Sequence, residues 1–187
     1  MALVSERLSQ QRWIPPWVRH EHMARYAFAA RYARDKTVVD CACGEGIGTA
    51  FLLDAGAASV EAFDQSEAAI RAARARGLSG NVRFRVSDAL KLPLSNHAAD
   101  VYAALETIEH IRETRAFLAE VVRVLKPDGV FIWSSPNRAV TNPGTSVTDP
   151  PWNRFHVREY SREEFVATLG AAFHRLELYG QNPRRLG

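Results

Sequence analysis

A short apolar run closes on an acid again and again in this chain: Val38-Val39-Asp40, then Ser59 to Phe63 with Asp64, then Val82 to Val86 with Asp88 behind it. Each run is too short for a helix and is separated from the next by a segment of helical character. Strands that alternate with helices cannot pair as hairpins. They predict a doubly wound α/β fold: a mostly parallel sheet with right-handed crossovers, covered by helices on both faces as three αβα layers. Asp100 to Ala104 and Val130 to Ser134 extend the series to five strands, and Phe173 to Tyr179 is read as a sixth. Helices are expected over Glu21–Tyr32, Gly48–Asp54, Glu67–Arg76, Thr114–Leu125 and from the capping box Ser161/Glu164 to Leu169. Gly56 and Gly77 are read as helix stops. Trp13-Ile14-Pro15-Pro16-Trp17 is expected as an extended arm ahead of the first helix, because proline breaks a helix interior.

This places one domain over residues 1–187. An arm and helix occupy 1–35, a ligand-binding core 36–135, a Pro-rich loop 136–160 and a closing helix and strand 161–187. In open α/β sheets, ligands bind past the carboxyl ends of the strands, at the switch in strand order. The residues to inspect therefore lie just beyond each strand. The first such loop is Gly44-Glu45-Gly46-Ile47-Gly48, between a strand and a helix N-terminus. Glycines permit a tight turn and close approach of a ligand to backbone N–H groups. The dinucleotide fingerprint needs G-x-G-x-x-G; here the third glycine comes one residue early and Thr49 follows. Asp40 before the loop suits a ligand with an ammonium group better than a pyrophosphate. Asp64 is placed for ribose hydroxyls, and Asp88 with Ala89 for an adenine edge.

As a set, Val38 to Gly48, the spaced acids Asp64 and Asp88, Glu106-Thr107-Ile108-Glu109-His110, and Arg123-Val124-Leu125-Lys126-Pro127-Asp128-Gly129 resemble the class I S-adenosylmethionine-dependent methyltransferases. The resemblance spans roughly residues 36 to 180. More narrowly, Glu21-His22-x-x-Arg25-Tyr26 and Phe155-His156-Val157-Arg158-Glu159-Tyr160 resemble a bacterial subgroup found near glycosyltransferases, in polysaccharide or natural-product pathways. The resemblance implies a Rossmann-like sheet and S-adenosylmethionine as cofactor, leaving S-adenosylhomocysteine. It implies cofactor contacts from Asp40, Ala42, Cys43, Gly44, Gly46, Gly48, Asp64, Gln65, Asp88, Ala89, Leu105 and Glu106.

Methyl transfer from a sulfonium asks mainly for alignment, and an oxygen acceptor gains from a base as well. His110, His156 and Glu109 are the candidates for that role. Trp17, His22, Tyr26, Asn137, Trp152 and Phe155 are candidate acceptor contacts, with Trp13 completing an aromatic wall. The expected acceptor is a small molecule or saccharide, methylated on oxygen rather than nitrogen. Two other readings remain: a non-catalytic cofactor-binding or interaction module, and a nucleic-acid base N-methyltransferase. Asp149-Pro150-Pro151-Trp152 imitates the amino-methyltransferase signature, but it follows strand five rather than strand four. The net charge of +3 supplies no basic footprint, so no nucleic-acid partner is expected.

Cys41 and Cys43 are too few for a disulfide framework or a zinc site and are read as small packing residues; no metal is expected. No apolar run reaches a membrane span or forms a signal peptide, which points to a cytoplasmic protein. The family sheet has seven strands, the last two a hairpin, whereas six are counted here. A missing strand would leave an open sheet edge and favour a homodimer.

Overall fold

The computed structural model describes residues 16–181. It contains five strands and six helices: α1 (Pro16–Ala30), β1 (Thr37–Cys41), α2 (Ile47–Asp54), β2 (Ser59–Asp64), α3 (Glu67–Ala75), β3 (Val82–Val86), β4 (Ala99–Leu105), α4 (Thr114–Val124), β5 (Leu125–Ser134), α5 (Arg138–Thr141) and α6 (Arg162–Gly170). A single 3-10 turn, Ile108–His110, sits between β4 and α4. The strands form one sheet in the order β3-β2-β1-β4-β5, and every pairing is parallel. Strand order reverses between β1 and β4, so the switch point lies there.

Successive residues of a strand point to opposite faces, and the core divides accordingly. Val38, Val60, Ala62 and Val101 pack beneath α1, α2 and α3 with Tyr26, Leu52, Ile70 and Ala73. Val39, Cys41, Phe63, Tyr102 and Ala104 pack on the other face with Phe117, Val121 and Leu169 from α4 and α6. These are the three layers expected. The runs are apolar on both faces because helices cover both.

Three expectations need correction. First, α1 begins at Pro16 rather than Glu21. Proline is tolerated in the first turn, where its missing N–H has no helical partner, so Pro16 fits inside the helix rather than ahead of it. Second, the residues from Phe173 to Tyr179 are not a strand. Phe173 stacks on Phe131 of β5 at 5.4 Å between ring centroids, and Leu176 joins the same cluster, while Leu178 and Tyr179 are exposed. The segment buries apolar side chains without pairing, and β5 is one of the two edge strands among the described residues, with β3 the other. Third, Leu125 already pairs with Ala99, and the next pairing is Val101 with Val130. Lys126-Pro127-Asp128-Gly129 is therefore an irregularity inside β5 rather than a turn ahead of it.

The 136–160 stretch is also less irregular than expected. Asn137 caps α5 by accepting from the Ala139 N–H, and it bridges to Tyr160. No helix among the described residues is long and apolar enough to cross a membrane.

Candidate active site

Because all five strands are parallel, their carboxyl ends share one edge of the sheet. Asp88 with Ala89, Asp64 with Gln65, Ala42 to Gly48, and Leu105 with Glu106 follow one another along that edge in the strand order β3-β2-β1-β4. The topology thus brings the candidate cofactor row to one edge, except Asp40, which lies within β1 behind it.

The glycines of the loop have different reasons to be glycine. Gly44 has φ +55° with nothing within 4 Å of where a side chain would start. It is an open cradle into which a ligand can settle against backbone. A Cβ on Gly46 would stand 2.9 Å from the Phe84 ring, and one on Gly48 would stand 2.0 Å from the ring of Tyr26. Those two are closed by packing. Ala42 shares the left-handed backbone at φ +61°, a conformation that costs about 1–2 kcal/mol for a residue with a Cβ.

Two buried acids hold this loop. Asp64 receives the Gly44 N–H on Oδ2 at 3.0 Å and the Ser66 N–H on Oδ1 at 2.8 Å. It ties the open cradle to the start of α3. A carboxylate is the acceptor that ribose hydroxyls call for, so the residue type at this strand end fits a bound ribose. Asp40 receives the Tyr26 hydroxyl at 3.0 Å and the Thr49 hydroxyl at 2.6 Å. Burial raises its pKa to about 6, against the lowering effect of the Thr49 and Tyr26 hydrogen bonds. Asp40 lies inside the fold, 1% exposed, and acts on the loop from behind. Thr49 and Tyr26 are the partners sequence reasoning did not assign to it.

Cys41 and Cys43 are buried free thiols. Burial pushes the Cys41 thiol up to about 12 and Cys43 higher still. Thiols held protonated are poor nucleophiles, in keeping with packing residues. Asp88 is exposed and receives the Leu90 N–H at 2.9 Å, which organises the turn after β3.

Past β4, Glu106 carries φ +52°. Its N–H donates to the Ser134 carbonyl and hydroxyl, and its carboxylate receives the Ser134 hydroxyl and faces Arg25 Nε at 3.4 Å. Strained non-glycine backbone held by this many partners is a mark of functional sites. The Arg25 and Ser134 partners were not legible in the sequence.

Glu109, His110 and His156 converge. The 3-10 turn carries the first two. The loop after β5 brings the third, pinned where the Val157 and Arg158 N–H groups donate to the Glu109 carbonyl at 2.7 and 3.2 Å. The His110 and His156 rings meet edge-on with centroids 5.0 Å apart. His156 Nδ1 lies 2.5 Å from the Glu159 carboxylate. Glu159 is buried and also receives Asn142 and Thr141. His–x–x–Glu spacing was the available signal for that pair.

The candidate acceptor contacts are spread more widely. Tyr26 is buried and its hydroxyl is committed to Asp40. The His22 ring lies tilted against it with centroids 5.2 Å apart, its pKa lowered to about 4 by burial and by Arg25. Phe155 accepts the His110 ring nitrogen on its carbonyl, at 3.0 Å. Asn137 caps α5, and Trp152 is 69% exposed. Trp13 and the Trp17 side chain lie outside the described residues.

Comparison with known proteins bears on the family and the fold. Residues 39–133 match the model of a family described as methyltransferase domain. A probable S-adenosylmethionine-dependent methyltransferase of Mycolicibacterium smegmatis is 35% identical over 161 residues, 86% of this chain and 60% of the relative. The chain thus spans about 60% of that relative's length. Among solved structures, a protein of Pyrococcus horikoshii superposes with a TM-score of 0.69 at 26% identity, covering 84% of this chain and 82% of that one. The cyclase SpnF superposes with a TM-score of 0.71 at 24% identity, over 80% of this chain and 57% of that one, a likeness of fold alone. By sequence pattern, family match and fold, this chain belongs to the methyltransferase domain family, in its class I, S-adenosylmethionine-dependent branch.

Proposed function

We propose that the protein transfers a methyl group from S-adenosylmethionine to an oxygen of a small-molecule or saccharide acceptor. The observation that carries the reading is the Gly44 cradle, open to a ligand and tied to Asp64 through its own N–H. Bound S-adenosylmethionine supplies a methyl group on a sulfonium, already electrophilic.

On this reading Asp64 takes the ribose while holding the Gly44 amide, and Asp88 with Ala89 borders the adenine. Leu105 and Glu106 lie under the methionine part, with Arg25 fixing the Glu106 carboxylate. Asp40 keeps the loop in shape through Tyr26 and Thr49. The protein's contribution is chiefly alignment.

Oxygen is favoured over nitrogen by the polar cluster beyond β4. A hydroxyl must lose a proton as it is methylated, and His110 and His156 offer imidazoles for it. The acceptor O–H proton passes to an imidazole nitrogen as its oxygen takes the methyl carbon. The carbon–sulfur bonding pair stays on sulfur, and the positive charge ends on the imidazolium.

Calorimetric titration with S-adenosylmethionine tests the first half. A single site is expected on the intact protein, with Asp64→Ala binding at least roughly tenfold more weakly, the loss of charge-assisted hydrogen bonds. Undetectable binding to the intact, folded chain would sink the reading. A panel of phenols, sugars and amines assayed for methyl incorporation tests the second half; labelling of amines alone would overturn the choice of oxygen.

A further inference from the structure

Two arms of the chain meet at the carboxyl edge of the sheet, and each carries the same short pattern. Arg112 stands two residues beyond His110, and Arg158 two residues beyond His156. The arms are pinned to one another where the Val157 and Arg158 N–H groups donate to the Glu109 carbonyl at 2.7 and 3.2 Å. Arg112 and Arg158, with Arg115 from the first turn of α4, line one cleft of about 410 Å3, which Glu113, Thr114 and Ala116 complete. A cleft of that size takes a small ligand.

These three guanidiniums stand apart from the arginines that brace the fold. Arg25, Arg83, Arg85, Arg123 and Arg138 each face a carboxylate at 3.4 Å or less. Among the described residues, Arg112, Arg115 and Arg158 make no ion pair. Arg158 lies over the Tyr160 ring at 6.0 Å, which steadies it without using its N–H donors. Three arginines against the single acid Glu113 leave the cleft with two positive charges in excess. Like charges gathered in one cleft repel. An anion removes that repulsion and accepts from several guanidinium N–H groups at once. The positive end of α4 adds to the same field, since its N-cap residue Glu113 supplies no side-chain cap.

We propose that this cleft holds an anionic group, a phosphate or a carboxylate, carried by the methyl acceptor. That the ligand is the acceptor rests on the methyl-transfer reading above; that it is an anion rests on the cleft alone. Cα atoms two residues apart are separated by at most about 7 Å. An acceptor anchored at Arg112 and Arg158 therefore has a hydroxyl near the His110 imidazole when the two groups are about one sugar ring apart. A neutral saccharide would leave the charge of the cleft uncompensated. The acceptor class narrows to sugar phosphates, uronic acids and small molecules bearing such a group. The net charge of +3 concealed this feature, because the cluster is assembled from two distant segments.

The test is a titration of the intact protein with glucose 6-phosphate, glucuronate, inorganic phosphate and glucose, followed through the backbone amide resonances. Saturable shifts at Arg112 to Ala116 and at Arg158 are expected with anionic probes and not with glucose. Glucose 6-phosphate against glucuronate tells phosphate from carboxylate, and binding of either supports the site. Arg112→Gln, Arg115→Gln and Arg158→Gln should each weaken that binding about fivefold or more. All three side chains are exposed, so the circular dichroism and the S-adenosylmethionine affinity of the parent should be kept. A second basic cleft, lined by Arg31, Arg34, Lys36 and Lys126 at the amino end of the sheet, is the internal control. Equal shifts there would mean diffuse attraction and overturn the proposal. So would anion shifts no larger than those with glucose, or binding that the three substitutions leave unchanged. S-adenosylmethionine titrated into the same samples separates the two readings. Anion binding without cofactor binding removes the methyl-transfer reading and leaves the anion site; cofactor binding without anion binding removes only the anion site.

Discussion

The Tyr26 hydroxyl donates to the buried Asp40 carboxylate at 3.0 Å, while the ring of the same residue fills the space over Gly48. One side chain of α1 thereby fixes both the acid behind the glycine loop and the helix in front of it. The loop's shape depends on a helix that precedes the first strand.

Gly48→Ala and Gly44→Ala should fail in different ways. At position 48 the added methyl meets the Tyr26 ring at 2.0 Å, so α1 must move away, with a loss of about 1–3 kcal/mol or more, as in overpacked cores. At position 44 the space is open but φ is +55°, which costs about 1–2 kcal/mol. Thermal unfolding should rank Gly48→Ala as the less stable. Titration should show Gly44→Ala losing S-adenosylmethionine affinity beyond what its stability explains.

Two buried groups should give opposing pH dependences. Asp40 titrates near 6 in the fold, above its ordinary value of 3.8. The folded state then holds more protons than the unfolded one, and stability falls as pH rises from 4 to 6, by up to about 3 kcal/mol. His22 titrates near 4 against 6.5, so its contribution is full above pH 6.5 and is lost as pH falls toward 4, by a similar amount. The parent's urea midpoint should change little across that range. Asp40→Asn should expose a rise with pH and His22→Gln a fall. Parallel pH profiles for all three proteins would contradict the assignment.

Asp64→Asn tests the cradle without changing side-chain shape. An amide cannot accept from both the Gly44 and Ser66 N–H groups, so one buried donor meets an NH2. The expected cost is about 1–3 kcal/mol in stability, together with at least tenfold weaker S-adenosylmethionine binding by calorimetry.

The thiols of Cys41 and Cys43 should react slowly with a thiol-exchange reagent at pH 8 in the native protein and at normal rates in denaturant. Fast labelling of the folded chain would show the β1 end to be open.

The strands were legible because each apolar run stops at a polar residue on one edge of a sheet, and the parallel topology followed from their alternation with helices. Asp40, Gly44 and Asp64 were legible for the same reason: chemistry at a strand's carboxyl end is local in sequence. The partners that make these residues work were not. Tyr26 reaches Asp40 only because α1 packs across the sheet, and Arg25 reaches Glu106 the same way. That Glu109, His110 and His156 come within 4.8 Å of one another depends on where a loop lands. The false strand at Phe173 has a physical cause too, since its spaced apolar residues serve packing on β5 equally well. The start of α1 was misjudged because proline obstructs a helix interior but not its first turn.

The loop after β5 is hung on the core by main chain. Val157 and Arg158 donate to the Glu109 carbonyl, and Arg138 N–H to the Tyr160 carbonyl. Main-chain bonds of this kind are indifferent to which side chains the residues carry. The stretch between these anchors can therefore exchange residues while staying docked in one place. A lineage built on this fold can rewrite what stands opposite the glycine loop and leave the loop itself untouched.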